Sequence, residues 1–161
     1  MGVLTDYFRA TDEASVVKVL TSDEQPSKAF DLVEAKGIDP IVVLGRLVAA
    51  AREVPFEAGL VAARPVWPVG PQPWAEGATA AFAEDDPWVT GPWVMELADD
   101  VRETLAGIRA SDLPELAERW ARTAELQPVE PDELRPLIKE LALLARRART
   151  ARQHLYCRVC V

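Results

Sequence analysis

Between Arg64 and Trp93 the chain reads RPVWPVGPQPWAEGATAAFAEDDPWVTGPW, a stretch holding six of its 13 prolines and four of its five tryptophans. Proline has no amide hydrogen to donate and a fixed φ, so it blocks helix interiors and central strands alike. Residues 64–93 are therefore expected to form a long Pro/Trp-rich loop or insertion, flanked by short strands near Val61 to Trp67 and Trp88 to Leu97. Irregular stretches of this length inside compact domains are often functional.

On either side the periodicities are regular. VLTDYFRA from Val3 alternates and carries aromatics, as an opening strand does. Thr11 then caps a short helix, TDEASVVKVL, with acids in its first turn. Ser27 to Gly37 has a capping residue at one end and a glycine stop at the other, which predicts a second helix. Asp39 and Pro40 start a third helix, with Ile41, Leu44, Val48 and Ala51 on one face and Val42, Val43 and Leu47 elsewhere, which should be the buried one. After Trp93 the pattern is helical. Val101, Leu105 and Ile108 share one face, and Leu113, Leu116, Ala117 and Trp120 another, behind a capping box of Asp112 and Glu115. From Pro131 onward Leu134, Leu137, Ile138, Leu141, Leu144, Ala145 and Ala148 recur at helical spacing, the strongest periodic signal in the sequence.

The chain ends in HLYCRVCV, residues 154–161, which has no glycine or proline and is rich in strand formers. In a strand Cys157 and Cys160 point to opposite faces, so they neither share a metal nor form a disulfide. Cys157 is expected in the core and Cys160 as a second buried or half-buried thiol. The lone histidine, His154, sits beside them as an expected helix-end or loop residue. The expected architecture is an α+β fold, a single domain over residues 1–161. Its small sheet includes the N- and C-terminal strands and packs against several helices.

Chemistry finds little foothold. One histidine supports neither a catalytic triad nor a completed zinc site, and eight scattered glycines build no phosphate loop. The acids at Glu84, Asp85 and Asp86, and at Asp99 and Asp100, read as solvated surface or helix capping. No catalytic residue, metal site or cofactor is expected. No apolar run is long enough to cross a bilayer, the N-terminus lacks the pattern of an export signal, and two cysteines fit free thiols in a reducing cytoplasm.

A net charge of −8 argues against nucleic acid as a partner. The charge is uneven: from Leu134 to Val161 seven basic residues face one acid, Glu140, leaving −14 on the rest of the chain. Trp67, Trp74, Trp88 and Trp93 each adjoin a proline, a stiff apolar combination suited to partner binding or a pocket wall. Arg135, Lys139 and Arg146 fall on one flank of the last helix. These seven residues are the candidate binding set. They serve either a non-enzymatic interaction protein, for instance of immunity or toxin-neutralising type, that engages a basic protein partner, or a small-molecule or anion-binding protein, an enzyme among the options, with a pocket between the Pro/Trp loop and the C-terminal basic helix.

The order of MG and YF at the N-terminus, GID before a buried helix, W before two helices, and a long amphipathic helix ending in an apolar strand resembles the YfbM-like family of uncharacterised bacterial proteins. The stretch from Arg64 to Trp93 departs from that pattern. The resemblance implies an α+β fold and supplies no functional residues. The preference for Arg over Lys, with much Ala and Val, fits a GC-rich bacterial genome.

Overall fold

The computed structural model describes residues 3–72, 75 and 83–161. In chain order it runs β1 (Leu4–Ala10), α1 (Glu13–Leu20), α2 (Pro26–Ala29), β2 (Leu32–Glu34), α3 (Val43–Arg52), β3 (Ala63–Trp67) and α4 (Pro87–Thr90). Then follow β4 (Trp93–Leu97), α5 (Asp99–Ala106), α6 (Leu113–Ala121), α7 (Pro131–Thr150) and β5 (His154–Cys160). The strands form one antiparallel sheet in the order β2-β1-β5-β4-β3. The terminal strands lie at its centre, paired along their length from Leu4 opposite Cys160 to Ala10 opposite His154. This is the α+β fold expected of the sequence.

Alternation along each strand divides the sheet into two apolar faces. Tyr7, Val33, Leu97, Leu155 and Cys157 join the main core with α3, α5, α6 and α7. Phe8, Ala10, Val66, Val94 and Tyr156 form a smaller core on the other face, covered by α1 through Val16 and Val17. There Phe8 stacks on Phe30 at 4.7 Å and on Tyr156 at 5.4 Å. The polar ends of the buried aromatics are satisfied: the Tyr7 hydroxyl donates to the Ile38 carbonyl (2.7 Å) and Trp120 Nε1 to the Val43 carbonyl (2.8 Å).

Local signals explain the helices. The Asp39 carboxylate accepts from the amides of Ile41, Val42 and Val43, at 3.0, 2.8 and 3.2 Å, so the turn begun by Asp39 and Pro40 feeds α3. Helix α7 starts with Pro131, carries Asp132 and Glu133 in its first turn, and ends with Arg147 and Arg149, each sign at the dipole end it favours. Its apolar stripe is buried as its spacing requires. Among the described residues no helix is long and apolar enough to cross a membrane.

Five expectations are corrected. Residues 27–37 are not one helix: α2 stops after Ala29 because Phe30 turns extended to stack on Phe8, and Leu32–Glu34 then pairs with β1. The first helix is capped by Asp12, which accepts from the Ser15 amide at 2.8 Å, and not by Thr11. Asp112 does not reach forward to Glu115; its carboxylate accepts from the Arg109 amide at 2.9 Å and closes a tight turn before α6. His154 opens β5 rather than ending a helix or lying in a loop. Of the flanking strands, β3 ends at Trp67, while β4 is shorter than expected, beginning at Trp93 because Asp86 and Pro87 start the helix α4 that takes in Trp88. The intervening stretch of the expected Pro/Trp loop, residues 73–74 and 76–82 with Trp74, lies outside the described residues.

Candidate interaction surface

Register decides what meets at each end of the sheet. Leu4 lies opposite Cys160, Trp93 opposite Val159 and Trp67 opposite Val94, and the Gly37 amide donates to the Val3 carbonyl at 3.2 Å. The start of β1, the end of β2, the end of β3, the start of β4 and the end of β5 therefore share one rim. Five of the seven large hydrophobic residues that are exposed among the described residues belong to the segments forming this rim: Val3, Leu4, Val69, Val89 and Val161, each 40 to 72% exposed. Exposed apolar residues scattered singly need no explanation, but here four valines and Leu4 fall in the segments at one end of the sheet, Val89 through α4 and the others at or just beyond strand ends.

The tryptophans frame the patch. Trp67 is half-buried at the border of the smaller core, and Trp93 Nε1 donates to the Trp88 carbonyl at 3.2 Å, tying α4 to the start of β4. Helix α4 is itself held by Asp86, whose carboxylate accepts from the Trp88 amide at 2.8 Å. Glu84 and Asp85 stand exposed just before it. Across the sheet Glu34 is exposed at the end of β2.

Charge is allocated unevenly. Twelve of the fourteen arginines form ion pairs within the chain. Arg147 and Arg9 share Asp31, at 2.6 and 2.7 Å, which holds that carboxyl below its usual range, Arg147 contributing most. Arg158 pairs with Asp6 at 3.2 Å beside the rim. Burial outweighs that partner and raises the Asp6 pKa. Many acids, by contrast, have no ion pair among the described residues, including Asp23, Glu24, Glu34, Glu57, Glu84, Asp85 and Glu140. Four of the seven basic residues from Leu134 to Val161, Arg135, Arg147, Arg149 and Arg158, are paired with acids of the chain, while exposed acids without an ion pair are spread over several elements.

The six candidate binding residues among the described residues do not converge on one site. Arg135 pairs with Asp132 on its own helix at 3.2 Å. Arg146 donates through Nε to the Ala106 carbonyl at 2.9 Å and through Nη2 to that of Ile108, closing the end of α5. With Lys139 it lines a cavity of about 70 Å³ among Ile108, Leu113 and Leu143, which contains no tryptophan. Trp88 and Trp93 hold each other, and Trp67 is in the neighbouring strand pair. The rim valines carry no signal in the sequence beyond their position, Val3, Val69 and Val161 lying just beyond strand ends and Val89 in the short helix before β4.

The groups capable of chemistry are engaged in structure. Burial pushes the Cys157 thiol up to about 12, and Cys160 points to the opposite face, half-buried. His154 Nδ1 lies 2.7 Å from Asp99 Oδ1, and Asp99 also faces Arg102 at 3.5 Å. A cleft of about 530 Å³ among α3, α5 and α6 has an apolar floor of Ala50, Ile108 and Leu116. Its three arginines, Arg52, Arg109 and Arg119, pair with Asp100, Asp112 and Glu115 at 3.4, 3.3 and 2.6 Å. Among the described residues no group of three or more His, Cys, Asp or Glu is placed to hold a metal ion.

No family model, curated protein or solved structure matches this chain.

Proposed function

We propose that this chain is a non-enzymatic interaction protein, of immunity or toxin-neutralising type, that binds a basic protein partner through the rim where the five strand ends meet. The observation that carries the reading is that five of the seven exposed large hydrophobic residues among the described residues, Val3, Leu4, Val69, Val89 and Val161, fall in the segments at this rim, which also carry the exposed acids Glu34, Glu84 and Asp85, without an ion pair among the described residues. An apolar centre with a charged border is the anatomy of a protein interface, and the sign of the border selects a basic partner. The anion-pocket alternative draws less support, because Arg135 and Arg146 are already bound to acceptors within the chain. Free thiols at Cys157 and Cys160 fit a reducing compartment, and the reading takes the protein as cytoplasmic.

The test uses the full chain as bait in lysate of its source organism, washed first at low and then at high salt, beside a bait carrying Leu4→Asp and Val161→Asp. One stoichiometric basic protein, held by the wild type at low salt, released by high salt and absent from the variant, is the expected result. Wild-type and variant baits that retain the same proteins, or none, overturn it.

A further inference from the structure

We propose that the free edge of β2 takes up an extended segment of the partner polypeptide as a sixth strand of the sheet, with basic side chains reaching Glu34 and Glu140. This rests on the proposed function and names the contact through which it works.

The backbone leaves the position open. Val33 lies opposite Tyr7, the Ala35 amide donates to the Thr5 carbonyl at 2.8 Å, and the Arg9 amide donates to the Asp31 carbonyl at 3.3 Å. Asp31, Val33 and Ala35 thus turn their backbone groups toward β1. By alternation the N–H and C=O groups of Leu32 and Glu34 turn away from it, with no backbone partner among the described residues. Unpaired edges are a hazard that proteins usually blunt. The opposite edge, β3, is blunted: exposed Pro65 has no N–H to offer, and the register shifts between Pro65 and Trp67. Strand β2 has no proline, no bulge and no basic residue.

Beside this edge lies a groove of about 490 Å³, lined by Ser27 of α2, Leu32, Val33 and Glu34 of β2, and Glu140 of α7. Its charged lining residues are both acids, both exposed, and neither has an ion pair among the described residues. Glu34 lies opposite Asp6, on the sheet face that α1 covers, whereas Glu140 belongs to the helix packed on the other face. An added strand therefore needs a basic residue on each of its faces, which adjacent Lys and Arg supply. A second copy of this chain is disfavoured as the occupant, because it would bring its own Glu34 and Glu140 to an edge whose groove already carries both acids and no basic residue.

The probe is the blocked heptapeptide Thr-Val-Lys-Arg-Val-Thr-Val, titrated into ¹⁵N-labelled full chain. Amide shifts confined to residues 27–35 and 140, with exchange of the Leu32 and Glu34 amides slowed by about tenfold, are expected. The effect is lost when the peptide's strand-facing nitrogens are methylated, and weakened about tenfold by E34K with E140K. Shifts without slowed exchange, an equal response to the methylated peptide, or no response overturn the assignment. The methylated peptide keeps the test decisive on wild-type protein if the double variant does not fold. The lysate experiment separates the two proposals. A partner captured equally by wild-type and E34K/E140K baits overturns the β2 contact and leaves the function standing. A partner missing from every bait, with peptide addition intact, overturns the function and leaves the β2 contact.

Discussion

Arg146 shares a helical flank with Arg135 and Lys139, and spacing alone assigns the three to one surface. What spacing does not carry is the acceptor. In the fold the Arg146 guanidinium closes the last carbonyls of α5, where a positive charge also meets the favourable end of the helix dipole. Arg146→Leu is expected to cost about 2 kcal/mol, since two carbonyls lose a charged donor, while partner capture is unchanged; urea denaturation with the lysate bait reads both. Asp31 gives a pH signature. Arg147 and Arg9 hold its folded pKa below its ordinary value of 3.8, so its contribution is complete above that pH and is lost as pH falls through the folded value. Asp31→Asn is therefore less stable than wild type by about 1 kcal/mol at neutral pH, discounted for partial exposure, and the two denaturation curves converge in strong acid. The cysteines separate by burial. A thiol raised to about 12 is protonated at neutral pH and shielded, so a thiol reagent modifies at most Cys160 in the native protein and both thiols in denaturant. Rapid native labelling of Cys157 would refute its place in the core.

Elements whose burial follows from their own period were legible from the chain. Helix α7 is the clearest: Leu141 and Leu143 differ by two positions, yet one is 1% exposed and the other 37%. Leu141→Ala is expected to cost about 2–5 kcal/mol, whereas Leu143→Ala stays within about 0.5 kcal/mol, by the same denaturation measurement. The terminal strand and the opposed cysteines were legible for the same reason, because period two is written in HLYCRVCV itself. Strand β2 was not. Three residues carry too little pattern to outvote a capping residue and a glycine stop, and what makes them a strand is pairing with β1, some 25 residues earlier in the chain. The rim has the same origin. Val3, Val69 and Val161 are unremarkable one by one and fall at one end of the sheet only when register aligns the strand ends, with Val89 beside β4 through α4. The tryptophans drew notice as residue types, but the structure uses Trp67 and Trp93 partly to frame that rim and partly to seal the sheet.

At the scale of the molecule, the surplus of eight negative charges acts beyond any single contact. Because arginine is consumed in internal ion pairs, the external field is set by acids spread over several elements, from Asp23 and Glu24 before α2 to Glu57 after α3 and Glu84 and Asp85 before α4. Such a field steers an oppositely charged partner during approach and fades over a Debye length, about 10 Å at 0.1 M salt. In the function proposed, short-range contacts at the rim and the β2 edge hold the partner afterwards. The two roles belong to different rate constants. Neutralising the remote acids together, as Asp23→Asn, Glu24→Gln and Glu57→Gln, lowers the association rate by several-fold at low salt and leaves dissociation unchanged. Leu4→Asp with Val161→Asp instead speeds dissociation by tenfold or more, at about the wild-type association rate, since affinity differences within one interface lie mostly in dissociation. Stopped-flow measurements with the captured partner, repeated at about 0.02 and 0.5 M salt, separate them: the remote-acid effect disappears at the higher salt and the rim effect persists. A remote-acid variant that changes only the dissociation rate would mean that those carboxylates touch the partner, and the contact surface would then extend over α2 and the end of α3.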